Sequence, residues 1–256
     1  MFLLGRAMMI NEPLNGVTVC VDFDDILEHT LPYNRLHYDR FVVVTATHDE
    51  RTQAVCRRSH VDCLVTDVFY ERGAAFNKWA GLELGLDHLG RSGWINVLDC
   101  DILIPRNPWI TNVEIGKLYT PLRRNFTTWQ REQIPNEPYW RRFAFVNRRE
   151  EHAGYFHLFH ADSLQCQQKP WYSTEFSWAG TADTLFQQRW HEKDKLRPKF
   201  EVLHIGETFT NWAGRVQPRL DGKPVPQSAD NKGKFAAFMN ARRINRFDDR
   251  YKGERL

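Results

Sequence analysis

Short apolar runs alternate with longer mixed stretches through the N-terminal part of the chain. Residues 17–21, 41–45 and 61–66 are short and rich in β-branched side chains, which is typical of buried strands. Residues 26–36 and a stretch that ends at Arg58 have the length and composition of helices. Strands that alternate with helices of this length indicate parallel βαβ units. The pattern therefore predicts an α/β fold with a central, mostly parallel sheet and helices on both faces.

The pattern between residues 76 and 105 is the most regular. Its apolar residues recur at three- and four-residue steps and so share one face of a helix: Phe76, Trp79, Leu82, Leu86 and Leu89. Gly90 and Gly93 end this helix, because glycine takes the left-handed conformation that a C-cap needs. Residues 94–98 then predict a buried, central parallel strand. Asp99-Cys100-Asp101 follows at its carboxyl end, where ligands bind in open α/β sheets.

The two aspartates of this triplet predict a metal–diphosphate site. Carboxylates this close repel each other unless a cation or a donor lies between them. The two carboxylates need not bind one ion equally, so one carboxylate can bind a metal while the other binds a hydroxyl or a metal-bound water. Oxygen ligands favour Mg²⁺ or Mn²⁺, which complete their shells with substrate phosphates. The alternative is a pair of ordinary surface carboxylates, since Asp22-Phe23-Asp24 also follows a strand.

Composition limits the number of domains and the kind of partner. The chain has 256 residues, 42% of them hydrophobic and 26% charged, which suits one domain or at most two small ones. A net charge of +3 is too small to indicate nucleic-acid binding by itself. The five cysteines lack metal-ligand spacing, which favours reduced thiols in a cytoplasmic protein. No apolar run approaches the roughly 20 residues of a membrane span, so no membrane is expected as a partner. No obligate protein partner is evident from the sequence either.

The order of these segments resembles GT-A glycosyltransferases, family 2-like. The matching segments are VTVCVDFDDILEHTLPYNRLHYDRFVVVTATHDERT, FNKWAGLELGL and WINVLDCDILIP. The pattern as a whole is similar to that of small glycosyltransferases found in phage genomes. The match runs in order over about residues 17–215. It implies an N-terminal arm (1–16), a GT-A glycosyltransferase domain (17–215) and a basic C-terminal extension (216–256).

The resemblance implies a binding site for a nucleotide sugar at the ends of the first strands. The residues that fall there or beside the diphosphate and the sugar are Asp22, Thr45, Asp49, Asn77, Lys78, Asp99 and Gly154. A lysine beside a diphosphate is physically sensible as a point charge. Each position also has a structural alternative. The hydroxyl of Thr45 can form hydrogen bonds with backbone groups at the end of its strand. Asp49 can cap a helix, and Lys78 can lie on a solvated helix face.

The resemblance also implies the metal ligands and the catalytic base. Asp101 and His204 would bind Mn²⁺ or Mg²⁺, with Asp99 as a further ligand or a contact to ribose or a metal-bound water. An imidazole ligand shifts the preference towards Mn²⁺. Asp183 matches the family's catalytic base, although this chain has Ala182-Asp183 where the family often has an acidic pair. One base opposite the leaving group predicts inversion. The alternatives are a hydrogen-bonded bystander histidine and an aspartate stabilised at a helix N-terminus.

The acceptor is predicted to contact Trp178, Trp212 and Arg215. Residues 123–151 interleave arginine with tryptophan, which can stack on bases or sugars, although a solvated helix with ion pairs is the favoured interpretation. The extension has ten Lys and Arg against five Asp and Glu. With the resemblance to phage enzymes, these segments point to a hydroxymethylated pyrimidine in phage DNA as the acceptor.

Other functions remain open at this point. The acceptor can instead be a protein or a soluble glycan. A non-catalytic module that binds nucleotide sugars or nucleic acid is a further alternative, and it would require an inert metal site. A nucleotidyltransferase or pyrophosphatase is disfavoured, because VCVDFDDIL contains no glycine-rich phosphate loop after the first strand.

Overall fold

Strands and helices alternate along much of the chain in a computed structural model, which describes residues 12–106, 113–126, 152–206 and 211–225. The elements, in chain order, are β1 (Leu14–Val19), α1 (Asp24–Asn34), β2 (Arg40–Thr45), α2 (Glu50–Ser59), β3 (Asp62–Val65), α3 (Lys78–His88), β4 (Trp94–Leu98), β5 (Ile102–Leu103), β6 (Leu118–Tyr119), β7 (Leu122–Phe126), β8 (Phe156–His160), α4 (Ala182–Gln187), β9 (Lys195–Leu196) and β10 (Glu201–Ile205). None of the helices within these ranges has the length and hydropathy needed to span a bilayer.

A seven-stranded sheet forms the centre of the fold, in the order β3-β2-β1-β4-β8-β6-β9. The pairs β1–β2, β1–β4 and β2–β3 are parallel. Strand β8 is antiparallel to both of its neighbours, β4 and β6, while β6 and β9 are parallel. The sheet is therefore mostly parallel, and the α/β fold class predicted from the sequence is confirmed.

Two apolar cores cover the two faces of this sheet. Successive residues of a strand point to opposite faces, so Val43 joins the core under α1 and α2 while Val42 and Val44 join the core under α3 and α4. Helix α3 packs very closely, because a Cβ on Gly85 would lie 2.7 Å from side-chain atoms of Val17 and Val44. Full burial of a valine or leucine side chain contributes about 1.5–3 kcal/mol. The two cores hold the carboxyl ends of β1 and β4 in fixed positions.

A second, three-stranded sheet has the order β5-β10-β7. Strand β10 is antiparallel to β5, which places His204 opposite Ile102. It is parallel to β7, which places His204 beside Asn125. Because β5 follows β4 after a short turn, this small sheet brings a C-terminal histidine next to the Asp99-Cys100-Asp101 triplet.

Several element boundaries differ from the sequence predictions. Strand β1 begins at Leu14, so the last residues assigned to the N-terminal arm belong to the sheet. The run 118–122, predicted as one strand, divides into β6 and β7, which lie in different sheets. Pro121 lies at the division, and it has no N–H to donate to a ladder. Arg123 and Arg124 are in β7 and not in a helix. The rest of the Arg/Trp-rich segment, 127–151, lies outside the described residues.

The start of the predicted C-terminal extension is part of the folded domain. Arg219 is buried and forms ion pairs of 2.6 Å with Asp24 and 2.9 Å with Asp221. The Leu220 N–H donates to Asp25 Oδ2 over 2.6 Å. These bonds fasten residues near 220 to the first turn of α1. The short helix predicted at 235–239 lies outside the described residues.

Candidate active site

A cavity of about 260 Å³ opens at the carboxyl ends of β1 and β4. The small sheet and the first turn of α4 close its other sides. The Lys, Arg, Asp and His side chains that line it are Lys78, Asp99, Asp101, Arg123, Asp183 and His204. Aromatic residues that line it include Phe23, Phe76, Trp79, Tyr155, Trp178 and Trp212. The predicted ligands of a metal, the predicted base and part of the predicted nucleotide site thus share one cavity.

Asp101 and His204 are in direct contact in this cavity. His204 Nε2 lies 3.3 Å from Asp101 Oδ2, and His204 Nδ1 lies 2.7 Å from Asn125 Oδ1. Burial acts to raise the pKa of Asp101, but the nearby His204, Arg123 and Lys78 outweigh it and hold that pKa below its usual value. The Asp101 carboxylate is therefore ionised at neutral pH and is available to a cation.

The other aspartate of the triplet, Asp99, is paired with Lys78. Lys78 is in the first turn of α3 and its Nζ forms an ion pair with Asp99 Oδ1. Burial acts to lower the pKa of Lys78, but the charges of Asp99, Asp183 and Asp101 outweigh it and raise that pKa. The pKa of Asp99 itself is raised, mainly because the carboxyl is buried. The negative charge of Asp101 raises this pKa further, while the positive charge of Lys78 opposes the shift. The two aspartates face different partners because Asp99-Cys100-Asp101 forms a turn after β4, closed by the Ile102 N–H donating to Asp99 O over 3.1 Å.

The donor set around Asp101 fits a divalent cation that is shared with a substrate. Among the described residues, no group of three or more His, Cys, Asp or Glu is placed to hold a metal ion. Asp101 and His204 supply one oxygen and one nitrogen ligand, and Asp101 Oδ1 is buried without a hydrogen-bond partner. A cation would satisfy this oxygen. A carboxylate with an imidazole suits Mn²⁺, and two protein ligands leave positions for diphosphate oxygens.

Asp183 lies in the first turn of α4 and is held by a backbone group of Gly154. The Gly154 N–H donates to Asp183 Oδ2 over 2.9 Å. A Cβ on Gly154 would lie 2.8 Å from Asp183 Oδ2 and would collide with Asp183 Cβ. Only glycine permits this close approach, which explains the glycine at the start of the β8 segment.

A strained turn precedes Asp183. The Ala182 N–H donates to Gly180 O over 3.0 Å, which makes a γ-turn centred on Thr181. Thr181 has φ 78° and ψ −45°, a conformation that is rare for a residue with a side chain and unfavourable for a β-branched one. Strain of this kind costs about 1–3 kcal/mol and is concentrated at functional sites. Gly180 and Thr181 both line the cavity.

Two of the three residues predicted to contact the acceptor are at the cavity. Trp178 and Trp212 line it, and the Ala179 N–H donates to Trp212 O over 2.8 Å, which joins their two segments. Arg215, the third of these residues, does not lie where it was predicted to lie. Its guanidinium is fully buried, pairs with Asp25 over 2.9 Å and donates to Asp22 O over 2.7 Å. A buried arginine needs such a carboxylate partner, so Arg215 fixes the loop after β1 and does not line the cavity.

Thr45, Asp49 and Asn77, predicted to contact the nucleotide, have structural roles here. Asp49 caps α2 by accepting from Thr52 N over 3.1 Å, and its second oxygen accepts from Asp22 N over 2.7 Å. Thr45 is fully buried, with its hydroxyl 3.3 Å from Asp49. Asn77 caps α3 and donates to Thr174 O over 2.8 Å. None of these residues lines the cavity, and Asp22 is also absent from its walls.

Two residues of the site were not recognised as site residues from the sequence. Arg123 lies over the ring of Tyr155, with its guanidinium carbon 4.5 Å from the ring centroid, and it lines the cavity. The sequence grouped it with an arginine-rich segment instead. Asn125 contacts His204 through the β7–β10 pairing. No local pattern indicates these roles, because they arise from a strand pairing between distant segments.

No protein-family model matches the chain. No curated protein sequence matches it either. Among solved structures, the chain is similar to glucosyl-3-phosphoglycerate synthase from Mycobacterium tuberculosis, which was crystallised with Mn²⁺, UDP and glucosyl-3-phosphoglycerate. The identity is 11%, the alignment covers 91% of this chain and 80% of that one, and the TM-score is 0.43.

Two further solved structures are similar to parts of the chain. The inositol-1-phosphate CTP transferase from T. maritima is 9% identical, with 76% of this chain and 89% of that one covered and a TM-score of 0.46. A mycobacterial protein is 14% identical, with 45% of this chain and 42% of that one covered and a TM-score of 0.33. At these TM-scores, an assignment of function has to come from the chemistry of the cavity itself.

Proposed function

We propose that this chain is a metal-dependent glycosyltransferase of the GT-A type, which moves a sugar from a nucleotide sugar, most simply a UDP-sugar, to an acceptor hydroxyl. The observation that carries this proposal is the presence of the Asp101–His204 pair and Asp183 in one cavity. The pair offers ligands for a divalent cation, and Asp183 offers a separate carboxylate for proton transfer. This division matches the two tasks of glycosyl transfer.

The diphosphate end of the donor is assigned to Asp101, His204, Lys78 and Arg123. Asp101 and His204 would hold Mn²⁺, and such an ion when bound supplies Lewis-acid stabilisation of negative charge on the departing nucleotide diphosphate. Lys78 and Arg123 line the same cavity and add permanent positive charge. Asp99 keeps Lys78 in place through their ion pair. Together these residues bind and orient the leaving group.

The acceptor end is assigned to Asp183 and the two tryptophans. The Gly154 N–H orients the Asp183 carboxylate, which takes the proton of the acceptor hydroxyl as that hydroxyl attacks the anomeric carbon. A single base on the side opposite the leaving group produces inversion. Trp178 and Trp212 offer apolar faces on which a sugar or a base can stack.

The acceptor itself is proposed to be a hydroxymethylated pyrimidine in phage DNA. Support comes from the resemblance to phage enzymes and from the basic composition of residues 123–151 and 216–256. Contacts to phosphates release counterions, so binding to DNA should weaken steeply as salt rises. Binding that stays constant between low and high salt would contradict a DNA acceptor.

A donor screen by mass spectrometry tests the proposal. Plain and hydroxymethylated DNA would each be incubated with UDP-hexoses and UDP-N-acetylhexosamines, with Mn²⁺ or with EDTA. We expect hydroxymethylated DNA to gain the mass of a hexose or an N-acetylhexosamine when Mn²⁺ is present. Plain DNA, and either DNA in EDTA, should gain no mass. Hydrolysis of the donor without modification of the DNA would support a transferase and indicate that its acceptor is a protein or a glycan. If no donor were consumed under any condition, the chain would be a binding module instead.

A further inference from the structure

The geometry assigns a positioning role to Asn125, which rests on the proposed function. Asn125 fixes the tautomer and ring orientation of His204, so that Nε2 presents its lone pair to a metal beside Asp101. The side chain thus acts through another residue and is not itself a metal ligand. No pattern in the sequence indicates this role.

Strand pairing places the two side chains on one face of the small sheet. In the parallel β7–β10 ladder, Asn125 is the register partner of His204, and Arg123 is the partner of Val202. Register partners in a parallel pair point to the same side, as do residues two apart on a strand. Arg123, Asn125 and His204 therefore project together, and Arg123 and His204 both line the cavity.

The atoms in contact determine which nitrogen of His204 is free. Asn125 Oδ1 lies 2.7 Å from His204 Nδ1, and an amide oxygen only accepts hydrogen bonds. This bond places a proton on Nδ1. Nε2, which faces Asp101 Oδ2 at 3.3 Å, is then the ring nitrogen that can be without a proton and bind a metal. A histidine must present an unprotonated nitrogen to a metal, so the tautomer held by Asn125 is the one a ligand needs.

The expected loss of metal affinity can be estimated from other residues that form hydrogen bonds with metal ligands. Loss of the group that holds a ligating histidine typically lowers metal affinity by about 10- to 100-fold. Asn125→Leu keeps the branched shape of the side chain and removes the acceptor oxygen. Asn125→Asp keeps an oxygen in the same place. The first substitution should release the ring of His204, and the second should hold it.

The first part of the test measures Mn²⁺ affinity in the presence of UDP, from the electron paramagnetic resonance signal of free Mn²⁺. We expect Asn125→Leu to weaken binding by about 10- to 100-fold and Asn125→Asp to stay near the wild type. In a His204→Ala background, Asn125→Leu should cause no further loss, because Asn125 acts only through that ring. Wild-type affinity in a folded Asn125→Leu variant would overturn the proposal, as would an equal loss in the His204→Ala background.

The second part needs no metal. Nitrogen-15 spectra of the histidine rings in the metal-free wild type, with His204 assigned by its absence in His204→Ala, report which nitrogen carries the proton. We expect the proton on Nδ1 in the wild type and in Asn125→Asp, and a mixture or the Nε2 form in Asn125→Leu. A proton found only on Nε2 in the wild type would overturn the role of Asn125. If the wild type binds no Mn²⁺ with UDP, the proposed function fails, and the spectra still decide the tautomer.

Discussion

The backbone N–H of Gly154 holds the Asp183 carboxylate at 2.9 Å, and the two residues approach so closely that no side chain fits between them. Gly154→Ala should therefore push the first turn of α4 away from the cavity. A displacement of about 1 Å in a catalytic group can lower a rate by roughly 100-fold. We predict a loss of this size in kcat, measured as sugar transfer at saturating donor.

A second glycine provides the control for that substitution. A Cβ on Gly222 would meet nothing within 4 Å, although its φ of 69° disfavours a side chain. Gly222→Ala should lower stability by about 1 kcal/mol and leave transfer unchanged. Equal activity of the two variants would mean that the Gly154–Asp183 contact has no part in catalysis.

The proposed base can be separated from the proposed metal site. Asp183→Asn keeps an oxygen to accept from Gly154 N but cannot take a proton from the acceptor. General-base catalysis typically contributes 10²- to 10⁴-fold, so we predict a decrease of about this size in kcat. Binding of UDP with Mn²⁺, measured by calorimetry, should stay within about threefold of the wild type. If transfer continued at the wild-type rate, another group would be the base.

The γ-turn at Thr181 predicts a stabilising substitution. Thr181→Gly relieves a positive φ of 78° at a β-branched residue, and the gain should exceed the entropic cost of glycine by about 1 kcal/mol. Thr184, an exposed residue of α4, offers the matched change in ordinary helical backbone. Thr184→Gly should destabilise the protein by a few tenths of a kcal/mol, approximately. Urea unfolding curves of both variants measure the change in the free energy of unfolding, which should be positive for Thr181→Gly and negative for Thr184→Gly. A loss of stability in Thr181→Gly would show that Thr181 is not strained.

Buried histidines predict a loss of stability in mild acid. His157 is fully buried, and burial lowers its pKa to about 4 from 6.5. The unfolded chain therefore binds a proton that the folded chain does not. The contribution of His157 is fully present above pH 6.5 and is lost as the pH falls towards 4, by an amount on the order of 3 kcal/mol. The pKa of His152 is also lowered to about 4, mainly by burial, so this residue adds to the loss of stability in acid.

Denaturant unfolding between pH 7 and pH 4.5 measures this trend. The free energy of unfolding should fall with pH in the wild type. In His157→Gln the fall should be smaller, because one of the buried imidazoles whose pKa is lowered is missing. An equal slope in the two proteins would indicate that His157 does not contribute to the acid sensitivity.

The elements of the fold that were predictable are those with a local pattern. The strand at residues 94–98 has the predicted bounds, because a short apolar run after a glycine stop is specified by neighbouring residues alone. The pairing of β7 with β10 was not predictable, since it joins segments that are distant in the sequence. For the same reason, the run 118–122 was interpreted as one strand.

The candidate site was predictable to a similar extent. Residue patterns alone indicated only Asp99 and Asp101, whose position after a buried strand is a local signal. Lys78, Asp183 and His204 were assigned through the resemblance, and all three line the cavity. Arg215 was misplaced because its partner, Asp25, is 190 residues earlier, and no sequence pattern relates the two. Burial of a charge depends on such distant partners.

The central claim is that Asp101 and His204 bind the cation that a nucleotide-sugar donor needs. The most direct test follows the release of UDP from a UDP-sugar by the wild type and by Asp101→Asn, with Mn²⁺ and with EDTA. We predict release by the wild type with Mn²⁺, and a decrease of at least about 100-fold with EDTA or with Asp101→Asn, since the ion stabilises the leaving group by several kcal/mol. UDP release that is equally fast with EDTA, or in the variant, would contradict the account.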